Sequence, residues 1–271
     1  MCWIALGSEG RFEQTLSSDQ DNGIIFVGTA EADALRSRLL PFARRVNDAL
    51  SSCGFPLCKG NVMAGNPQWC LTETEWRDQF TSWIREPTPE RLLNANIFFD
   101  FRPLYGEAAL AERLRDWLLA RTQDNKLFLR LMVQNALQTE PPLGLIRAFQ
   151  VSDEPGSEGT LDLKKRGARI FVDAARVFAL ALGSRFTGTA DRLRHAGENV
   201  KADPRHVEAT VDAFHYLQVL RLRAQEHPHP ASPNRVEPYS LNEVDQRMLK
   251  ETFRQARKLQ QRLKETYSFA L

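Results

Sequence analysis

Two aspartates one residue apart, Asp19 and Asp21, stand at the mouth of an apolar run over 22–27, and a Gly-Ser pair, Gly7-Ser8, closes an earlier apolar run over 3–6. On an extended strand, residues two apart point to the same side, roughly 6.5–7 Å from each other at the backbone. Two like charges so placed repel, and a bound cation is the usual remedy. Oxygen ligands suit Mg2+ or Mn2+. A Gly-Ser turn brings backbone N–H groups and a hydroxyl close to an anion. Together these are the parts of a metal–triphosphate site, in which a hydroxyl attacks the α-phosphorus and pyrophosphate leaves. A two-metal version needs one more carboxylate on a neighbouring strand, and Asp100 is the candidate. It lies in the aromatic segment "NIFFDFRPLYG" (96–106), where an acid is costly unless coordinated or paired. The structural alternative for Asp100 is a salt bridge to Arg102, and Arg11 and Glu13 read equally as a surface ion pair.

The elements that must position these residues follow from periodicity. Residues 3–6 and 22–27 read as strands, and so does 96–106, with Ile97, Phe99 and Phe101 on one face and Asp100 on the other. A helix spans 31–52, with Pro41 kinking it or marking a join. Residues 53–67 read as turns around a short strand. Thr72 and Glu75 form a capping box ahead of a helical face of Trp76, Phe80, Trp83 and Ile84. A short helix covers 89–95. Helical stripes follow over 110–118, 124–138, 168–182 (closed by Gly183), 205–226 and 240–267, the last opened by a second capping box, Ser240 to Glu243. Its apolar residues Leu241, Val244, Met248, Leu259 and Leu263 suit packing on its own domain or on a partner chain, so an oligomer is compatible with it.

The chain of 271 residues is expected to form an α/β (α+β) domain with a small mixed sheet over 1–120, followed by an all-α helical bundle over 121–271. A net charge of +2 argues against a nucleic-acid-binding role, which calls for a basic field. No apolar run reaches membrane-spanning length and no basic leader precedes one, which points to a cytoplasmic protein. The four cysteines, Cys2, Cys53, Cys58 and Cys70, form no Cys-x-x-Cys and no histidine precedes residue 195, so they read as free buried thiols. Arg221 and His227 have the spacing of a toxin-type RNase pair, but Pro228 ends the helix there.

The stretch "WIALGSEGRFEQTLSSDQDNGIIF" resembles a nucleotidyltransferase-like family of signalling proteins found behind CBS and cyclic-nucleotide-binding domains and related to the PII-protein uridylyltransferase. "GFPLCKGNVMAGNPQW" (54–69), "IFFDFRPLYG" (97–106) and "LDLKKRGARIFVDAARVFAL" (161–180) resemble the same family, the last its helical substrate-binding domain. The resemblance implies a polymerase-β-like fold with Gly7 and Ser8 on phosphate, Arg11 and Glu13 in the nucleotide site, and Asp19, Asp21 and Asp100 as catalytic metal ligands. It implies phosphate or substrate contact for Lys164 and Arg176. The expected activity is transfer of a nucleoside monophosphate from ATP or UTP to a hydroxyl, with a protein as acceptor; the alternative is a nucleotide-sensing module without turnover. The family's fold has a helix before the first strand and sensor domains upstream. The chain begins almost inside that strand, which reads as a truncated start that would expose one face of the sheet.

Overall fold

A computed structural model describes residues 1–28, 31–144 and 148–268. The chain divides into two units, one of residues 1–14 and 18–128, the other of 15–17 and 129–271.

The first unit is built on a four-stranded sheet in the order β3-β2-β1-β4, with β1 (Cys2–Ala5), β2 (Asn22–Phe26), β3 (Cys70–Thr72) and β4 (Arg102–Gly106). β1 pairs antiparallel with both β2 and β4, and β2 runs parallel to β3. The sheet is therefore mixed, as expected. Every residue of β1 and β2 is buried, which is why both read as unbroken apolar runs. Trp3, Ile24, Phe26 and Cys70 meet Leu35, Leu39 and Val46 of α2 (Ala32–Ser52) on one face. α3 (Glu73–Arg85) and α5 (Ala108–Thr122) pack against the strands as well. Neither β1 nor β2 leaves a face exposed.

Three local expectations are corrected. α2 runs unbroken through Pro41 over 21 residues; the proline is exposed, and packing of the helix's apolar side outweighs one lost hydrogen bond. The short strand expected within 53–67 lies later, at β3, after a 3-10 turn at Pro67–Trp69. The strand expected over 96–106 begins only at Arg102. Thr88 caps a helix, α4 (Pro89–Phe98), that consumes its first half, and Asp100 falls in the bend between them. The alternation there misled because Phe98, Phe99 and Phe101 are all buried rather than on one face. They join Trp76, Phe80 and Trp83, with ring centroids 5.0 Å apart for Phe80–Phe99 and 5.3 Å for Trp83–Phe98. The capping box at Thr72 forms as expected and aims α3 so that Trp76 and Phe80 point into this cluster.

The second unit is helical: α6 (Lys126–Ala136, beginning just before the unit's boundary), α7 (Arg169–Leu182), α8 (Thr189–Asn199), α9 (Pro204–Glu226) and α10 (Glu243–Ser268), with a small pair β5 (Leu161–Asp162) and β6 (Arg235–Val236). α8 has no counterpart in the sequence reading. Gly183 ends α7 in the left-handed conformation at φ 64°, which an L side chain adopts with strain. The capping box at Ser240 does not form. Ser240 donates to Glu237 instead, and the Asn242 side chain accepts the Asp245 N–H at 2.9 Å. The buried seam of α10 is Leu249, Phe253, Ala256, Leu259 and Leu263, while Val244 and Met248 are exposed. Among the described residues, no helix is long and apolar enough to cross a membrane.

Trp76 is fully buried and its indole N–H donates to the Ile24 carbonyl at 2.9 Å. Trp76→Ala is expected to lower the unfolding free energy by about 3–5 kcal/mol, read by urea denaturation; a loss under about 1 kcal/mol would contradict its place in the core.

Candidate metal centre

β1 ends at Ala5 and the chain turns at once into a single helical turn, α1 (Gly7–Gly10). Gly7 has φ +56°, and a Cβ there would stand 3.1 Å from Asp21 Oδ2. Glycine therefore serves two needs, a left-handed backbone and close approach of the Asp21 carboxylate. The Leu6 N–H donates to the Asp21 carbonyl at 2.9 Å, so the Gly-Ser turn and the second aspartate are tied directly together.

The alternation through 19–22 explains the acids' position. Asp19 and Asp21 are half-buried, while the intervening Gln20 and the following Asn22 are buried at 3% and 2% exposure. The Gln20 amide donates to the carbonyls of Asn47 and Phe55, at 2.9 and 2.8 Å. Asn47 on α2 donates to Gln20 Oε1 at 2.8 Å and Asn22 Oδ1 at 3.1 Å, and accepts the Gly65 N–H. Asn22 Oδ1 also accepts the Ala64 N–H. Buried amides so fully paired hold one geometry. The backbone is clamped as well: Gln20 N–H to Pro56 O at 3.0 Å and Asn22 N–H to Val62 O at 3.1 Å.

This clamp brings Cys58 to the acids. One ligand atom each of Asp19, Asp21 and Cys58 lies within 4.8 Å of the others, a group able to hold a divalent metal. Burial pushes the Cys58 thiol upward from its ordinary range and the Asp21 carboxylate, which it hydrogen-bonds, adds to this; the Val62 and Gly60 N–H groups act the other way. The expectation of four free buried thiols changes accordingly: all are free, but Cys58 is half-buried beside the acids and Cys53 is exposed.

Asp100 is placed differently. It is fully buried, and Arg11 Nη1 donates to its Oδ2 at 2.7 Å while Arg11 Nε donates to Glu13 Oε2 at 2.7 Å. The Arg11–Glu13 pair thus exists, but with side chains only 11% and 10% exposed it is no surface pair. Arg102 donates to the Glu9 carbonyl and stacks 4.0 Å from the Phe12 ring centroid. The Asp100 backbone also seats α1, since a Cβ on Gly10 would come 2.0 Å from its carbonyl oxygen. In the helical unit, Lys164 is exposed on a π-helical turn, and Arg176 is 2% exposed and pairs with Asp173 at 2.7 Å. Arg221 is buried there on Asn234, and His227 ends α9.

Residues 1–90 match the family model described as "Putative nucleotidyltransferase DUF294", and 126–267 match "Putative nucleotidyltransferase substrate binding domain". The chain belongs to this nucleotidyltransferase family. No curated protein matches it. The first match holds Gly7, Ser8, Asp19, Asp21 and Cys58 and ends before Asp100; the substrate-binding match spans α6 to α10.

Gln20, Asn22, Asn47 and Cys58 escaped the sequence reading. The available signal was the acid–amide alternation of Asp-Gln-Asp-Asn at the entry to β2, where buried amides call for hydrogen-bond partners. Arg11→Met is expected to cost about 3–5 kcal/mol by removing the cation beside a buried acid. Adding Asp100→Asn should recover a large part of that loss; denaturation of the two variants showing no recovery would contradict the pair.

Proposed function

We propose that this chain is a Mg2+-dependent nucleotidyltransferase that moves a nucleoside monophosphate from ATP or UTP to a hydroxyl, with a cytoplasmic protein side chain as acceptor in a signalling role. The observation that carries the reading is the close approach of Gly7 and Asp21, which supports a phosphate-binding role for the turn beside a metal-binding role for the carboxylate. Family membership supports the reaction class.

Asp19 and Asp21 would hold the divalent ion, Mg2+ or Mn2+; their carboxylates fit a hard cation that completes its shell with water and phosphate oxygens. When bound, that ion neutralises triphosphate charge and polarises the α-phosphate. The Gly7-Ser8 backbone and the Ser8 hydroxyl orient the phosphates. A bond forms between the acceptor oxygen and the α-phosphorus, the α–β bridging bond breaks, pyrophosphate departs, and the acceptor's proton passes to solvent. Asp100 serves as the third carboxylate on release from Arg11. Arg11 and Glu13 line the nucleotide site, and Lys164 and Arg176 contribute substrate contacts.

The Arg11–Asp100 salt bridge favours one second reading: a module that binds nucleotide without turning it over. Two measurements separate these. Titration calorimetry with Mg2+ and ATP or UTP should show metal-dependent binding that Asp19→Asn with Asp21→Asn reduces by more than about tenfold. Pyrophosphate release in cell extract identifies the transferase; metal-dependent binding with no release and no label transfer identifies the sensor. Equal, metal-independent binding by both proteins would overturn the site.

A further inference from the structure

We propose that Cys58 is a ligand of the same cation as Asp19 and Asp21, and that its sulfur makes the centre bind thiophilic divalent ions such as Zn2+ and Cd2+ more tightly than Mg2+. This rests on the reading of the two aspartates as metal ligands and adds the class of ion that competes there.

The three ligand atoms lie within 4.8 Å of one another. Small side-chain rotations let one ion with bonds of about 2.0–2.3 Å span them. Cys58 is held in place by the same clamp that holds the acids. The hydrogen bonds from Gln20 N to Pro56 O and from Asn22 N to Val62 O flank Asp21 on one segment and Cys58 on the other. Between them the chain turns tightly, with Asn61 at φ +55° and its N–H donating to the Cys58 carbonyl at 2.9 Å. Backbone hydrogen bonds that fix the loop in this way orient the ligand it carries.

The donor set then decides the ion. Two carboxylates alone suit Mg2+, which takes oxygen ligands. A thiolate is a soft donor that adds little to Mg2+ and much to Zn2+ or Cd2+. Coordination replaces the S–H bond by a sulfur–metal bond and releases one proton to solvent, with no electron transfer. The other thiols provide controls, since Cys53 is exposed and Cys2 and Cys70 are buried.

The test titrates Cd2+ into the full chain and follows the ultraviolet sulfur-to-metal charge-transfer band. Wild type and Cys53→Ser should show the band saturating at one equivalent. Cys58→Ser should lose it, with Cd2+ affinity reduced more than about tenfold, while Mn2+ binding, followed by electron paramagnetic resonance, is retained. In wild type, Cd2+ should also protect Cys58 from alkylation by iodoacetamide, as read by peptide mass mapping; this arm needs no variant to fold. A band that persists in Cys58→Ser, or Cys58 alkylated equally with and without Cd2+ while Mn2+ binds, would overturn the role of Cys58 alone. A wild-type chain that binds neither Cd2+ nor Mn2+ would overturn it together with the reading of Asp19 and Asp21.

Discussion

The centre depends on holding two carboxylates side by side at the start of a buried strand. Left to themselves, Asp19 and Asp21 would repel and turn outward. What fixes them is the buried amide network beneath, in which Gln20, Asn22 and Asn47 satisfy one another and the backbone of 55–65. Each amide is buried and each neighbouring acid half-exposed, and the amides' hydrogen bonds to 47, 55, 64 and 65 fix this alternation at the entry to β2. The network also explains why a segment rich in glycine and proline adopts one course: its peptide groups are the partners that the amides require. Cys58 arrives beside the acids as a consequence.

The rest of the first unit supports this entry point. β2 carries the acids at its mouth and is buried along its whole length between helices. The aromatic cluster around Trp76 and Phe98 fills the space behind it, with Trp69 4.2 Å from Phe98 between ring centroids and its N–H on the Asn61 carbonyl. Packing is thus continuous from the core to the turn that holds Cys58. On the other side of the Gly-Ser turn, the Arg11 guanidinium bridges Glu13 and Asp100. A buried ion pair of this kind contributes more to fixing a geometry than to stability.

Much of this was legible in the sequence, where local signals and burial agree. The strands at 2–5 and 22–26, the capping box at Thr72, the Gly183 cap and the long helices follow from periodicity and turn chemistry. The mixed sheet followed by helices was legible too, and the family match agrees. The failures came where tertiary packing overrode a local pattern. Phe98, Phe99 and Phe101 imitate a strand because an aromatic cluster buries them all. Pro41 imitates a break in a helix that its apolar side holds together. Ser240 imitates a cap that Asn242 supplies. Cys58 was opaque for another reason: its partners lie almost forty residues away, joined to it by backbone hydrogen bonds that side-chain types do not encode.

The central claim is that Asp19 and Asp21 share one divalent cation with the phosphates of a nucleotide at the Gly7-Ser8 turn. Its most direct test is anomalous diffraction from crystals of the chain grown with Mn2+ and a non-hydrolysable nucleoside triphosphate. The account predicts a manganese peak bonded to both carboxylates, with the triphosphate against Gly7 and Ser8. A triphosphate bound elsewhere, or manganese touching neither aspartate, would contradict it.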